Sequence, residues 1–203
     1  IWDKSKTRLW LVRDPFGVKP LFFSDLNGKI IFSSEIPALF HFPGISQEND
    51  PCGMDFFFTF GYVPAPMTAY KNIKQLLPGE FLLIENGKKL FNKYWELPLS
   101  ISKLNDPEND LLEEFKRLLN QAVERQMVSD VGLGAFLSSG KDSFAIVQAM
   151  QNINKGMTTA FSMGFNHPKF DELEGAKLTA DVLGVKLISS RMNIDVDNLL
   201  EEV

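Results

Sequence analysis

The stretch VGLGAFLSSGKDSFAIVQAM, residues 131–150, decides the fold of the second half of this chain. An apolar run from Leu133 to Leu137 predicts a strand, and it stops abruptly at six small or charged residues, Ser138 to Ser143. The amphipathic pattern that follows predicts a helix from about Ser143 to Gln151. A strand, a short turn and a helix in this order are typical of α/β folds, which bind ligands beyond the carboxyl ends of parallel strands.

The rest of the second half continues this alternation. Apolar residues at helical spacing predict a helix from about Asp110 to Met127, ahead of the first strand. The pattern then predicts a strand from Thr159 to Phe165, a helix from about Glu172 to Leu183 and a strand from Val185 to Ser190. Strands that alternate with helices imply a parallel sheet.

Two Asn-Gly pairs mark the first half of the chain as antiparallel. Asn27-Gly28 and Asn86-Gly87 each separate two runs that are rich in β-forming residues. Such pairs favour tight hairpins, because both residues accept the positive φ of the turn. A short helix is predicted near residues 36–40. The first half is therefore predicted to be antiparallel α+β structure.

A segment rich in Pro, Asn, Ser and Asp separates the two halves. ELPLSISKLNDPEND, residues 96–110, has no sustained period and predicts an interdomain linker. We therefore predict one domain over residues 1–95, a linker over 96–109 and a second domain over 110–203. The chain starts without Met and almost at once enters a predicted strand, from residue 7 to 12, which favours an internal fragment of a longer protein.

Composition limits the class of protein. The chain has 203 residues, of which 44% are hydrophobic and 12% aromatic, enough for a globular core. Its net charge of −5 and its scattered Lys and Arg predict no nucleic-acid partner. No apolar run approaches the roughly 20 residues of a membrane span, so no membrane association is expected. The single cysteine, Cys52, suits a reducing compartment, and the expected location is the cytoplasm.

The turn from Ser138 to Ser143 has the residue types of an anion site. Small residues let backbone N–H groups turn inward, hydroxyls donate, and the following helix presents its positive end. Lys141 adds a positive charge, whereas Asp142 would repel a phosphate unless a divalent cation such as magnesium lies between them. A nucleoside triphosphate with magnesium is the predicted ligand. The alternative that stays open is a serine-rich turn that only caps a helix.

This turn resembles a family motif. SSGKDS matches the pyrophosphate-binding loop SGGxDS of the ATP pyrophosphatases, and its flanks resemble those of the glutamine-hydrolysing asparagine synthetases. VRDPFGVKPLFF, FSSEIPALF and KYWELP are similar to successive segments of that family's amidotransferase domain. AFSMGFNHPKFDELEGAKLTADVLGV is similar to the segment after the ATP loop. The resemblance covers nearly the whole chain in the family's order.

The resemblance implies a fold and a reaction. The first half would be part of a glutamine amidotransferase domain of the N-terminal nucleophile type, and the second part of a domain like the adenine nucleotide alpha hydrolases. The family uses ATP and magnesium to adenylate a carboxylate such as that of aspartate. Ammonia derived from glutamine then displaces AMP to give an amide. A homodimer is one alternative for the oligomeric state.

The resemblance also implies which residues bind the nucleotide. The loop residues hold the pyrophosphate portion of ATP, and Asp142 is also a magnesium ligand. Leu137 and Met163 match positions that border the adenine. The six loop positions are Ser138, Ser139, Gly140, Lys141, Asp142 and Ser143.

Departures from the family pattern restrict these expectations. Ser139 replaces a glycine, so its Cβ is expected to narrow the approach to phosphate, and a positive φ there would cost about 1 kcal/mol. The family's N-terminal cysteine nucleophile has no counterpart in this chain, and Cys52 is expected to be a structural or incidental thiol. No catalytic residue is therefore assigned, and the segment alone is expected to be inactive. A non-catalytic interaction or regulatory module, or an enzyme that amidates another carboxylate, are the alternatives.

Two pairs of neighbouring charged residues complete the expectations. Arg13 and Asp14 are expected to form a buried pair that orders the loop before Gly17. Asp171 and Glu172 match acidic positions of the family near the active site. For Asp171, helix capping is an equally good interpretation.

Overall fold

The computed structural model describes residues 1–99, 107–166 and 171–192. The chain divides into two compact units, Ile1–Ile101 and Ser102–Val203. Residues 100–106 of the predicted linker lie outside the described residues. Among the helices described, none is both long and apolar enough to cross a membrane.

The first unit is built from short antiparallel strands and two helices. Its elements are β1 (Trp2–Asp3), β2 (Arg8–Val12), β3 (Phe22–Leu26), β4 (Lys29–Ser33), α1 (Ile36–Phe40), α2 (Pro51–Phe60), β5 (Ile73–Gln75), β6 (Glu80–Glu85) and β7 (Lys88–Lys93). One sheet has the order β1-β2-β6-β7 and the other the order β4-β3-β5, with antiparallel pairing throughout.

Both predicted hairpins are confirmed. Asn27 and Gly28 have φ values of 51° and 88° and connect β3 to β4, where Leu26 pairs with Lys29. The second Asn-Gly pair, residues 86 and 87, has φ values of 50° and 73° and connects β6 to β7 in the same way. Positive φ at both central residues is the geometry that makes Asn-Gly the preferred sequence of such turns. The predicted helix near residues 36–40 is also present, as α1.

The core of the first unit lies between the strands that these hairpins align. Leu11, Phe23, Leu76 and Leu82 are each less than a tenth exposed and form one cluster. Leu11 and Leu82 pair across β2 and β6, so the same register that joins the strands also brings their apolar side chains together.

Arg13 is held by backbone carbonyls, which corrects the expected pair with Asp14. The guanidinium is buried and donates to the carbonyl oxygens of Lys19, Gly17 and Leu76 at 3.2, 2.9 and 2.6 Å. No ion pair joins Arg13 to Asp14 among the described residues. Burial lowers the pKa of Arg13, because desolvation disfavours its charge. The arginine still orders the loop, but it does so through three carbonyls from two parts of the chain.

Asp14 orders the same loop by binding its backbone N–H groups. Its carboxylate accepts hydrogen bonds from the backbone N–H groups of Phe16, Val18 and Lys19, at 2.9 to 3.1 Å. These bonds, led by the one from Lys19, hold the pKa of Asp14 below its usual range. The two residues therefore satisfy three backbone N–H groups and two carbonyls of residues 14–19.

The second unit contains a parallel sheet, as predicted. Its elements are α3 (Glu108–Gln126), β8 (Gly134–Phe136), α4 (Lys141–Ile153), β9 (Thr159–Phe165), α5 (Leu173–Leu183) and β10 (Lys186–Met192). The strand order is β10-β9-β8, and both pairings are parallel. Helix α4 begins two residues before the predicted start at Ser143, so Lys141 and Asp142 belong to its first turn.

Small residues let the helices of the second unit pack closely on the sheet. Ala160 of β9 and Ala176 of α5 are fully buried, and they share a cluster with Leu137 and Val147. Large side chains at either alanine would push α5 away from the strand. The sheet and α5 are therefore held at short distance, beside the carboxyl end of β8.

Candidate functional site

The candidate site begins where β8 leaves the sheet. Leu137 follows the last residue of β8, is 3% exposed, and donates its backbone N–H to the carbonyl of Phe161 at 2.8 Å. That bond is the end of the pairing between β8 and β9. The chain then turns at Ser138, at the carboxyl edge of the parallel sheet, as the sequence predicted.

The turn is closed by bonds between its two ends. The hydroxyls of Ser138 and Ser143 lie 2.9 Å apart, and the N–H of Ser138 donates to the hydroxyl of Ser143 at 3.2 Å. The N–H of Gly140 donates to the Ser138 hydroxyl at 3.1 Å, and the Ser143 hydroxyl donates to the Gly140 carbonyl at 3.0 Å. Two serines five residues apart thus fix the shape of the loop.

No side chain caps the helix that follows. Gly140 is the N-cap residue of α4, and it supplies no side-chain acceptor. In an α-helix the first N–H groups have no partner within the helix, so those of α4 stay available. The alternative that the serines merely cap the helix is therefore not supported, since their hydroxyls bond to each other and to the turn.

Lys141 and Asp142 point their charges into solvent. Both side chains are exposed, and neither makes a hydrogen bond or an ion pair with a residue that the structure describes. An acidic residue in a first helical turn also stabilises the helix by itself, through the dipole. The carboxylate of Asp142 is free to contact a cation, and the described residues offer no group of three metal-ligating side chains anywhere.

A cavity of about 250 Å³ lies at the carboxyl end of β8, beside the middle of β9. It brings together four predicted site residues and four that were not predicted as nucleotide-binding residues. Its volume is slightly below the roughly 300 Å³ from which small-molecule sites usually start, so it can hold part of a nucleotide rather than all of it. The predicted residues are Leu137, Ser138, Ser143 and Met163, and the additional ones are Phe136, Phe161, Ser162 and Glu172.

One of the additional residues follows from strand geometry. Phe161 and Met163 are two residues apart in β9, so their side chains leave the same face of the sheet. Once Met163 is placed at a cavity, the alternation of the strand predicts Phe161 beside it. Strand alternation gives no signal for Phe136. Glu172 was expected near the active site from the resemblance alone.

Ser139, Gly140, Lys141 and Asp142 do not line this cavity. The backbone of Ser139 has no positive φ, so the strain considered for this substitution is absent. Its Cβ lies toward α5, where Gly175 leaves room for it. The expectation that this Cβ narrows the approach to phosphate therefore has no support in the position that the side chain takes.

Asp171 has a structural role at the start of α5. Its carboxylate accepts hydrogen bonds from the backbone N–H groups of Phe165 and Leu173 at 3.2 and 3.3 Å, and it forms an ion pair with Arg191 at 3.0 Å. Burial acts to raise the pKa of Asp171, but the two backbone hydrogen bonds and the charge of Arg191 outweigh it and hold the pKa below its usual range. Asp171 thus ties the ends of β9 and β10 to α5.

Glu172 faces the candidate site, as expected from the sequence. Its side chain is exposed and lines the cavity, so of the two acidic residues only Glu172 faces the candidate site. The division of roles follows from the hydrogen bonds, because the carboxylate of Asp171 is engaged by the N–H groups of Phe165 and Leu173.

A larger cavity in the first unit carries none of the predicted chemistry. It measures about 480 Å³ and includes Phe23, Phe91, Asp25 and Lys89 in its lining. Asp25 and Lys89 form an ion pair with each other. Size alone therefore does not identify the functional site of this chain.

Comparisons with known proteins match both halves of the chain. The family model described as "Glutamine amidotransferase domain" matches residues 1–95. The family model described as "Asparagine synthase" matches residues 114–203. The second match includes the turn, the cavity and α5.

Three proteins of Bacillus subtilis illustrate the relatives. The chain is 33% identical over 193 residues to asparagine synthetase (glutamine-hydrolyzing) 1. The aligned region covers 93% of this chain and 29% of that protein. It is 36% identical over 158 residues to asparagine synthetase (glutamine-hydrolyzing) 2, in an alignment that covers 72% of this chain and 21% of that protein. It is 34% identical over 147 residues to asparagine synthetase (glutamine-hydrolyzing) 3, in an alignment that covers 72% of this chain and 24% of that protein. The chain thus spans less than a third of the length of these curated relatives.

Proposed function

Because the chain belongs to the asparagine synthetase family, we propose that it forms part of an ATP-dependent, glutamine-hydrolysing amide synthetase. In this reaction a carboxylate oxygen attacks the α-phosphorus of ATP, and pyrophosphate leaves. Ammonia released from glutamine then attacks the activated carbonyl carbon, AMP leaves, and an amide remains. Aspartate is the proposed carboxylate.

The two halves take separate parts in this proposal. Residues 1–95 contribute part of an amidotransferase domain of the N-terminal nucleophile type, and residues 110–203 contribute part of a synthetase domain like the adenine nucleotide alpha hydrolases. Residues 96–109 link them. The proposed partners are ATP, ammonia from glutamine and the carboxylate, without nucleic acid. A cytoplasmic location and a homodimer belong to the same proposal.

One observation carries the proposal most directly. The uncapped start of α4 and the paired hydroxyls of Ser138 and Ser143 meet beside a cavity at the carboxyl edge of a parallel sheet. Backbone N–H groups and a helix dipole at such an edge favour a polyphosphate. The loop from Ser138 to Ser143 is proposed to hold the pyrophosphate portion of ATP, with Lys141 as an additional positive charge.

The cavity is proposed to receive the nucleoside. Leu137, Phe161 and Met163 supply apolar walls suited to a purine ring, and Ser138 and Ser143 place the phosphate loop at the adjoining side. The size of the cavity agrees with a base and sugar whose phosphates extend toward α4. Leu137 and Met163 are the residues proposed to border the adenine.

The residues present fit magnesium as a partner of the phosphates. Magnesium is usually held by one or two carboxylates together with phosphate oxygens and water, and Asp142 offers one exposed carboxylate in the first turn of α4. When bound, the ion would neutralise charge on the phosphates. Asp142 would then hold the ion at the end of the loop, where the carboxylate alone would repel the nucleotide.

Isotope exchange tests the proposed chemistry. The full-length protein should exchange labelled pyrophosphate into ATP only when magnesium and aspartate are both present, because adenylation of the carboxylate is reversible. A panel of other carboxylates in place of aspartate identifies the acceptor. Binding of ATP without exchange on any carboxylate would contradict the enzyme and favour the non-catalytic module.

A further inference from the structure

Gly175 lies in the first half of α5, against the Ser138–Ser143 turn. A Cβ placed on Gly175 would lie 2.6 Å from the Cβ of Ser139 and 3.5 Å from its Cα. Carbon atoms of packed side chains do not approach within 3.0 Å, so one of the two groups would have to move. Position 175 therefore has no room for a side chain while Ser139 keeps its place.

The glycine has no conformational reason to be there. Gly175 lies within a helix and does not have a positive φ, so any L-residue suits its backbone. Glycine also weakens a helix interior relative to alanine. The close approach of Ser139 supplies the reason, and it shows that the Ser139 side chain is directed at α5 rather than at the cavity.

The start of α5 is a fixed support rather than a yielding one. Asp171 bonds to Phe165 and Arg191 at the ends of two strands, as described above. Leu173 and Ala176, on either side of Gly175, are 5% and 0% exposed. A side chain at position 175 would therefore displace the turn more readily than the helix.

We infer that Gly175 is a positioning residue for the nucleotide-binding turn: it leaves the space that Ser139 occupies, and so sets where the turn and the start of α4 face the ligand. Ser139 and Gly175 act as a matched pair, in which the serine is accommodated because the helix lacks a side chain opposite it. This inference rests on the proposed function, since it concerns the same turn.

A double-mutant cycle tests the pair in the full-length protein. Gly175→Ala should weaken the affinity for magnesium-ATP by about tenfold or more, because overpacking shifts the turn. Ser139→Gly supplies the reference background, in which adding Gly175→Ala should change the affinity by less than about threefold, because the side chain that it would overpack is gone. Gly132→Ala is the matched control, because a Cβ there meets nothing within 4 Å and its φ is not positive. Calorimetry measures the affinity, and urea unfolding without nucleotide measures stability.

Affinity and stability are measured separately to distinguish positioning from general destabilisation. A variant that was only less stable would bind with the affinity of wild type in its folded fraction, which the urea data define. If wild type binds magnesium-ATP and Gly175→Ala binds equally well, or Gly175→Ala weakens binding as much in the Ser139→Gly background as in wild type, the inference is wrong while the proposed function stands. If wild type does not bind, the proposed function is wrong and the positioning role fails with it. Non-additive unfolding free energies would then still establish the steric contact.

Discussion

Two turns of this chain, residues 14–19 and 138–143, contain similar residue types and use them differently. In the first, the carboxylate of Asp14 accepts hydrogen bonds from three backbone N–H groups, and the guanidinium of the adjacent Arg13 donates hydrogen bonds to three carbonyls. In the second, the side chains of Lys141 and Asp142 make no hydrogen bond or ion pair with the described residues, and no side chain caps the helix. A turn that satisfies its own polar groups is a structural element, whereas one that leaves charges and N–H groups free can bind a ligand.

The largest expected difference between the two turns is in stability. Arg13→Met removes a buried charge but leaves three carbonyls without a donor, and it should lower the free energy of unfolding by about 3 kcal/mol. Lys141→Met, the matched change in the second turn, should alter it by less than about 0.5 kcal/mol. Urea denaturation of both variants measures this. Equal losses would contradict the division into a structural and a ligand-binding turn.

Ligand binding should show the opposite ranking. Asp142→Asn should weaken magnesium-dependent binding of ATP by about tenfold, or about 1.4 kcal/mol, because the carboxylate is proposed to hold the ion. Binding without magnesium should be unchanged or slightly tighter, since a charge that repels phosphate is gone. Calorimetric titration with and without the metal makes the comparison. Equal weakening in both conditions would mean that Asp142 acts on the loop and not through magnesium.

The same comparison shows how far sequence reasoning reaches. Hairpins at Asn27-Gly28 and Asn86-Gly87, and the strand from Thr159 to Phe165, could be predicted because each depends on neighbouring residues. The Ser138–Ser143 turn could be placed at a sheet edge for the same reason. Local pattern is sufficient where the deciding contacts are local.

Contacts between distant residues could not be predicted in this way. Arg13 donates to Leu76, 63 residues away, and nothing in either neighbourhood indicates it. The direction of the Ser139 side chain depends on Gly175, beyond an intervening helix and strand. Glu172 was expected near the active site only from the resemblance, and which of the two acidic residues reaches the cavity depends on how Asp171 is held at the start of α5.

The contribution of Asp14 to the free energy of unfolding should depend on pH. Its pKa is depressed from an ordinary value of 3.8 by backbone hydrogen bonds, led by that from Lys19, so the unfolded chain binds its proton first as pH falls. The stabilisation is therefore complete above about pH 5 and is lost as pH falls through the lower pKa of the folded state. Asp14→Asn should be less stable than wild type at neutral pH, and the gap should shrink toward about pH 2. Urea unfolding across this range measures the gap. A gap that stays constant would contradict the assignment.

The smallest expected effect concerns the charge at the cavity. Glu172 lines it beside Ser138 and Ser143, so its carboxylate should oppose the negative charge of a bound polyphosphate. Glu172→Gln should tighten ATP binding by about two- to threefold at low ionic strength, and the gain should fade at about 1 M salt because the Debye length shortens to about 3 Å. Glu174→Gln is the control, since Glu174 is exposed on the same helix, pairs with Lys177 and does not line the cavity. It should change affinity less than Glu172→Gln does. Weaker binding in Glu172→Gln would mean that this carboxylate accepts a hydrogen bond from the nucleotide or holds a cation, and its repulsive role would then be wrong.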